Sequence, residues 1–379
     1  MADKVRLGMI GVGQIGKRHV ATYQNIPEAE IVAVADLNEA EARRVAQEYN
    51  IPYVYTDYHD LLKHDEITSV DVALHNRLHK PVTLDALAAG KNVYCEKPMS
   101  WTYCDARDMY DAAKAAGRML HIQLATLYTP GSWATKKLID EGYLGDVYYV
   151  KSSHYRRRGR PFVDGYGTSA FVNTNTSGGG AMLDMAVYHI SRMLYLLGNP
   201  DLISVSGSTY QKLDMHEERR RSSNYNVEEL GMAFIRLAGG ITYYMEESWA
   251  IHSDVHDVDY VYGNKAGVRL DPPRYESGSQ PISEIQYYTT LGDIEMDGTM
   301  DLTRTYWRWQ QTDPTLQHYE NSQRHWISAQ LGYVPLIDTA GIALKTAFIT
   351  EGVYISGHLG REVTAEEIEQ ASPGFGRVS

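Results

Sequence analysis

The sequence predicts an α/β fold: an N-terminal domain doubly wound around a parallel sheet, then a C-terminal α+β domain with a large, open, mainly antiparallel sheet. Three observations predict it. Strand-like and helical segments alternate through the first part of the chain, a glycine turn closes the first strand, and beyond Pro130 strand-like runs follow one another with little helix between them. Alternation implies a parallel sheet with helices on both faces. Strands joined without helices imply antiparallel or mixed pairing. At 379 residues the chain is long for one core and comfortable for two, and the boundary is read at residues 1–127 and 128–379.

Residues 5–10 (Val-Arg-Leu-Gly-Met-Ile) read as a buried strand, and Gly11 to Gly16 as a turn that opens a helix running to Tyr23. Glu30 to Ala35 alternates as a second strand ending at Asp36, and Asn38 to Tyr49 carries Ala and Val at helical spacing. Tyr53–Tyr55 is a short third strand, 58–63 a short helix and 69–74 a fourth strand. The helix predicted over 81–89 stops at Gly90, a natural C-cap. A fifth strand at 92–95, a helix at 104–116 and a sixth strand at 119–124 complete the domain. In the second domain a helix at 133–141 precedes strands at 147–155, 202–210, 228–237, 241–249, 259–262 and 284–290. Residues 318–331 and 339–356 read as helices, the latter expected to pack back on the first domain, and the last eight residues read as loose.

Composition narrows the function. A net charge of −12 repels phosphate backbones and anionic bilayers, so neither nucleic acid nor membrane is expected as a partner, and a small-molecule substrate is. Two cysteines, Cys95 and Cys104, build no disulfide framework and match no zinc motif, which fits a reducing cytoplasm. The N-terminus has no signal-peptide pattern and no apolar run approaches a membrane span. Tyrosine outnumbers phenylalanine 29 to 5. A flat face with a hydroxyl suits carbohydrate and wet interfaces, although a compositional habit gives the same count.

Gly11-Val12-Gly13-Gln14-Ile15-Gly16 is a G-x-G-x-x-G, weak alone but specific here, because it follows a strand, opens a helix and precedes Asp36 by 20 residues. Gly11 permits the turn, Gly13 lets a pyrophosphate approach the backbone, and Gly16 lets the helix pack on the sheet. Free N–H groups at the helix start attract the phosphates. Asp36 is placed to bind ribose hydroxyls and to repel a 2′-phosphate, so the predicted cofactor is NAD on a Rossmann domain. A second candidate is Lys97 in Glu96-Lys97-Pro98, at the carboxyl end of the fifth strand, where open α/β sheets hold their ligands. Its bland alternative is a solvated loop lysine.

The glycine fingerprint, Glu96-Lys97-Pro98 and Gly178-Gly179-Gly180-Ala181-Met182-Leu183-Asp184, in this order and spacing, resemble the glucose–fructose oxidoreductase / inositol dehydrogenase / MocA family over nearly the whole chain. The resemblance implies hydride transfer between NAD and a sugar, inositol or related polyol, and a homo-oligomer, dimer or tetramer, formed through the C-terminal sheet. It implies that Lys97 contacts substrate and assists proton transfer, and that Asp184 orients the base or grips a neighbouring hydroxyl. Glu96 and Lys97 would also border the cofactor. Four residues after that aspartate, where many members have a catalytic histidine and some a tyrosine, this chain has Tyr188, with His189 next. Position favours Tyr188 and ionisation range favours His189; the two point about 100° apart on a helix, so one of them faces the reaction. After the fourth strand the family's Thr-Pro-Asn reads Leu74-His75-Asn76, so Asn76 and His79 match as cofactor contacts while Leu74 and His75 depart.

Tyr155, Arg156 and Arg158 follow the first strand of the second domain and are candidate substrate contacts, against the alternative of a solvated basic loop. His252, Asp254 and His256 alternate and on a strand would share a face, but exposed polar alternation is commoner and no metal is expected. Arg219, Arg220 and Arg221 read as a solvated charge cluster. The expected activity is an NAD-dependent sugar, glycoside or polyol dehydrogenase. Two alternatives differ from it: glycoside cleavage through transient oxidation, which leaves no net redox product, and a non-catalytic dinucleotide sensor, against which Lys97, Asp184 and the titratable 188–189 pair speak.

Overall fold

The computed structural model describes residues 4–272 and 283–372. The chain divides into two units. The first comprises 1–100, 105–124 and 314–344, and the second 101–104, 125–313 and 345–379. The passage at 124/125 lies close to the boundary read from the sequence, but residues 314–344, read there as part of the second domain, group with the first. The long helix Thr339–Leu359 divides between the two units. The C-terminal residues read as loose lie, but for Ser372, outside the described residues.

In the first unit, β1 (Val5–Ile10), β2 (Ala29–Ala35), β3 (Tyr53–Tyr55), β4 (Ser69–Val72), β5 (Asn92–Cys95) and β6 (Leu120–Ile122) form a six-stranded sheet in the order β3-β2-β1-β4-β5-β6. Every pairing is parallel. The central strands are apolar along their length because helices cover both faces. Leu7, Met9, Val34 and Tyr94 are buried in one cluster with Val20 and Tyr23 of α1 (Gln14–Tyr23) and with Trp326 of the helix Ser322–Gln330. That last contact explains the grouping of 314–344: the Tyr94 hydroxyl donates to Ser322 and the Trp326 ring packs beside Tyr94. The helix read from Pro81 begins at Asn76, with Pro81 inside it, so its Pro signal marked an interior position rather than a start.

The second unit is built on a nine-stranded sheet. Its strands are β7 (Val147–Tyr155), β8 (Leu202–Tyr210), β9 (Leu230–Leu237), β10 (Ile241–Ser248), β11 (His256–Gly263), β12 (Ala266–Leu270), β13 (Glu284–Leu291), β14 (Ile294–Asp301) and β15 (Val363–Thr364), in the order β14-β13-β12-β11-β7-β10-β9-β8-β15. Only β7 and β10 pair in parallel among the described strands. The helix Ala186–Leu196, which follows the glycine turn, lies against β7.

Register fixes which residues share a face. Asp257 of β11 pairs with His154 of β7, and His154 with Glu247 of β10. One row along, Asp259 pairs with Ser152 and Ser152 with Met245. Side chains alternate along a strand, so Tyr149, Lys151 and Tyr155 occupy the opposite face. There Tyr148, Tyr149, Lys151, Phe234, Thr242 and Tyr244 line a shallow groove.

Candidate functional site

In the first unit the glycine turn is bound to the end of β2. Gly11 N–H donates to the Ala35 carbonyl and Val12 N–H to Asp36 Oδ2 at 2.9 Å, while Asp36 Oδ1 accepts from Asn38 N–H at 2.8 Å. Gly11 sits at φ +93°, where a Cβ would lie 2.5 Å from the Ala73 carbonyl oxygen. A Cβ on Gly16 would meet the Gly11 carbonyl oxygen at 2.1 Å, so this position admits no side chain. A Cβ on Gly13 would meet nothing within 4 Å; Gly13, Gln14 and Ile15 are exposed, and α1 begins without a side-chain cap or an acidic residue in its first turn. Uncapped N–H groups over an open, glycine-lined surface form an anion cradle. With the Asp36 carboxylate anchored beside it, the cradle fits a pyrophosphate and an adjoining ribose diol, the requirements of NAD.

Lys97 follows β5 in a segment built on a buried ion network. His19 on α1 points Nδ1 at Asp71, 3.0 Å from both carboxylate oxygens, and Nε2 at Glu96 Oε1, 2.9 Å away. The Tyr23 hydroxyl donates to Asp71, and Glu96 Oε2 accepts from the Lys97 N–H at 3.0 Å. Burial pulls the His19 pKa down, but the charge of Asp71 and hydrogen bonds to Asp71 and Glu96 outweigh it and hold it at about 10. Burial pushes Glu96 up, yet the hydrogen bond and charge of His19, with the charge of Lys97, keep it below the usual carboxylate range. The network thus fixes the backbone that presents Lys97, which is half-buried.

Of the pair expected at the cofactor's nicotinamide end, Asn76 is half-buried at the start of its helix. His79 is fully buried, with Nδ1 2.7 Å from the Pro98 carbonyl oxygen and Nε2 3.0 Å from that of Leu74. With no surface to offer, His79 braces the loops after β4 and β5 instead of touching a ligand, which corrects its reading as a cofactor contact.

In the second unit the glycine turn is held by a residue the sequence reading passed over. Glu228, 9% exposed, accepts from Gly180 N–H on both oxygens at 2.9 Å, from Met182 N–H at 3.0 Å and from the Tyr354 hydroxyl at 2.8 Å. A Cβ on Gly180 would lie 1.9 Å from the Glu228 carbonyl oxygen, so glycine is required there. The turn delivers Asp184, whose Oδ2 accepts from the Trp249 indole at 3.3 Å. Arg156 lies alongside, donating to the Tyr166 hydroxyl and contacting Met185 Sδ at 3.1 Å.

The helix Ala186–Leu196 separates the two proton-transfer candidates. His189 is 5% exposed and turned to the sheet, its Nδ1 3.2 Å from Asp259 Oδ1 and its Nε2 3.8 Å from Glu247 Oε2. Asp259 also accepts from Arg192 at 2.6 Å, and burial, which pushes its pKa up, is outweighed by the charges of His189 and Arg192, which hold it well below the usual range. Tyr188 is half-buried, on the stripe that Arg192 and Tyr195 continue.

The structure also places the remaining sequence candidates. Tyr155 lies on the opposite sheet face from His154, with its hydroxyl on Glu246, and so leaves the Asp184 side. Arg158 is mostly exposed, its Nε 3.9 Å from Asp164, while the neighbouring Arg160 is buried against Asp164 and Glu229 as a structural ion pair. His252 and Asp254 precede β11 and are exposed, so they share no strand face with His256. Sequence reasoning missed Glu228, Glu247, Asp257 and Asp259. The alternation of Asp257 with Asp259 was a legible signal; the partners of Glu228 were not.

Two sequence profiles match the chain: "Oxidoreductase family, NAD-binding Rossmann fold" over residues 5–124, and "GFO/IDH/MocA C-terminal domain" over 133–269. D-glucoside 3-dehydrogenase of Escherichia coli (strain K12) is 29% identical over 72% of this chain and 78% of its own length. Inositol 2-dehydrogenase of Klebsiella pneumoniae subsp. pneumoniae is 35% identical over 45% of this chain and 51% of its own. Among solved structures, levoglucosan dehydrogenase in complex with NADH and levoglucosan superposes with a TM-score of 0.80 at 20% identity, covering 96% of this chain and all of that one. That likeness shows the fold.

Proposed function

The chain belongs to the GFO/IDH/MocA oxidoreductase family, binding NAD on its Rossmann domain, and on that premise we propose that it transfers hydride between NAD and a secondary hydroxyl carbon of a sugar, glycoside or cyclic polyol. The match to D-glucoside 3-dehydrogenase, which covers 72% of the chain, carries this reading. In oxidation the carbinol C–H leaves as hydride to the nicotinamide and the O–H proton goes to a protein base.

Tyr188 is that base. His189 is bound to Asp259 on the sheet side of its helix, whereas Tyr188 lies on the more open stripe. Lys97, the motif lysine of the family, is assigned to substrate contact. Asp184, steadied by Trp249, grips a neighbouring hydroxyl, with Arg156 as the further polar contact. On the same reading the protein works in the cytoplasm, and the tyrosine-lined outer face of the nine-stranded sheet meets a second copy. No helix among the described residues is long and apolar enough to cross a membrane.

The test is a screen of purified protein and NAD against glucosides, free sugars and inositols, following NADH absorbance and product mass. A ketosugar formed together with NADH is expected. A cleaved glycoside without net NADH replaces the dehydrogenase with the transient-oxidation alternative. In the active assay, Tyr188→Phe loses about 10² to 10⁴ in kcat, and His189→Asn loses less; retention of a third of the activity by Tyr188→Phe rules the tyrosine out.

A further inference from the structure

The buried face of the nine-stranded sheet holds a second constellation, which the hydride-transfer reading does not use. His154, His189 and Asp257 can each offer one ligand atom, and these atoms lie within 4.8 Å of one another. His154 and His189 are 8% and 5% exposed, while the Asp257 side chain is 38% exposed and forms the open rim. The rings of the two histidines lie 4.8 Å apart between centroids.

The hydrogen bonds on the far side of each ring set its orientation. His189 Nδ1 faces Asp259, itself fixed by Arg192, and this leaves His189 Nε2 toward Glu247. His154 Nδ1 lies 2.6 Å from Glu247 Oε1, and this leaves His154 Nε2 toward Asp257, 3.4 Å from Oδ2. A carboxylate on the distant ring nitrogen is the usual support of a metal-bound imidazole, because it fixes the tautomer and raises the basicity of the ligating nitrogen.

Two further observations point to a ligand in the middle. Glu247 Oε2 is buried and has no hydrogen-bond partner among the described residues, and at 3.8 Å from His189 Nε2 it is too far to form one. Donors about 2.1 Å from one ion at a tetrahedral angle lie roughly 3.4 Å apart, close to the separations seen here. The charges agree. Glu247, Asp257 and Asp259 oppose one guanidinium, Arg192, so with neutral imidazoles the cluster carries two negative charges that a divalent ion matches. Two imidazolium ions would match them too, but would place like charges side by side and still leave Glu247 Oε2 unpaired.

We propose that His154 Nε2, His189 Nε2, an Asp257 carboxylate oxygen and Glu247 Oε2 bind one divalent first-row transition ion. Two imidazoles with two carboxylates suit zinc, and also cobalt or manganese. The ion ties the helix Ala186–Leu196, which carries Tyr188, to three adjacent strands, β11, β7 and β10. Its site belongs to the second unit and shares no residue with the dinucleotide cradle, whatever the substrate proves to be.

The experiment uses the purified full chain, stripped with a chelator and titrated separately with zinc, cobalt and manganese ions. Calorimetry and elemental analysis should find one ion per chain, with a Kd at or below about 1 µM for zinc. Bound cobalt should show visible ligand-field absorption, and zinc should raise the unfolding temperature. His154→Ala should weaken zinc binding at least about 100-fold, as should Asp257→Asn, whose residue at the open rim keeps the variant foldable. His256→Ala, on a neighbouring histidine outside the cluster, should bind as the parent does. Circular dichroism confirms each fold, and Asp257→Asn decides if His154→Ala does not fold. Absence of stoichiometric uptake of all three ions overturns the proposal and leaves the cluster as a protonated ion network. Uptake that survives Asp257→Asn, or that is lost with His256→Ala, places the ion elsewhere and overturns it equally.

Discussion

Glu228 gives the sharpest structural prediction. Its carboxylate takes hydrogen bonds from two buried backbone donors, Gly180 N–H and Met182 N–H, and from the half-buried Tyr354 hydroxyl. Burial pushes its pKa up, and these donors draw it back by favouring the charged form. Glu228→Ala removes the acceptor of the two buried backbone N–H groups and one partner of the Tyr354 hydroxyl. Each buried, unmade hydrogen bond costs about 1–3 kcal/mol, and water entering the vacated space recovers part, so a loss of about 3–5 kcal/mol is expected. Glu228→Gln should be milder, about 1–2 kcal/mol, because the amide oxygen still meets two donors while its NH₂ faces the Gly180 N–H. Denaturant unfolding followed by the fluorescence of buried Trp249 measures both. The turn leads into Asp184, so kcat should fall in the glutamine variant while calorimetric affinity for NAD, whose cradle belongs to the first unit, stays level. A Glu228→Ala protein within about 1 kcal/mol of the parent, or one that loses NAD affinity in proportion to kcat, would refute the assignment of Glu228 as the brace of this turn.

Asp36→Ala should narrow a preference for NAD over NADP of at least about tenfold, measured as the ratio of calorimetric dissociation constants; a parent that binds NADP as tightly contradicts the role given to Asp36. Lys97→Met should lower kcat by about 10² or more with little change in NAD binding, and near-normal turnover would return Lys97 to a solvated loop. The His19 pKa stands raised at about 10 when folded against about 6.5 when unfolded, so its stabilisation is complete below pH 6.5 and is lost as the pH climbs toward 10. Urea unfolding of His19→Gln should therefore show lower stability at pH 7 and a flatter decline from pH 7 to 10, and a decline as steep as the parent's argues against the buried Asp71–His19–Glu96 network.

The first unit was legible because its signals are local. A strand buried on both faces is a short apolar run, and the dinucleotide turn needs its glycines within six consecutive residues, where a Cβ on Gly11 or Gly16 would strike backbone. The second unit is ordered by pairing between distant segments. β14 (Ile-Glu-Met-Asp-Gly-Thr-Met-Asp) is an exposed edge strand with little to bury, so its composition gave no strand signal. The direction of Tyr155 was hidden for a related reason: a one-residue step along a strand reverses direction, and only the pairing of β7 with β10 and β11 and the contact of His154 with His189 show that His154 is the residue facing the helix.

The choice between Tyr188 and His189 shows how far a single helix can be read. Val187, Ile190, Met193 and Leu194 define an apolar side at helical spacing, and Tyr188, Arg192 and Tyr195 a more polar stripe, so the sequence already separates the two candidates by face. It does not say what meets His189, because Asp259 and Glu247 come from strands some 60 to 70 residues further on. A histidine on the buried side of a helix needs partners for both ring nitrogens. Asp259 partners Nδ1, and that contact turns Nε2 toward a glutamate oxygen with no hydrogen-bond partner among the described residues. The residue that reads as a rival catalytic base is thus the one proposed as a member of the buried acid-rich cluster, and the Tyr188→Phe assay and the metal titration of Asp257→Asn test those two roles independently.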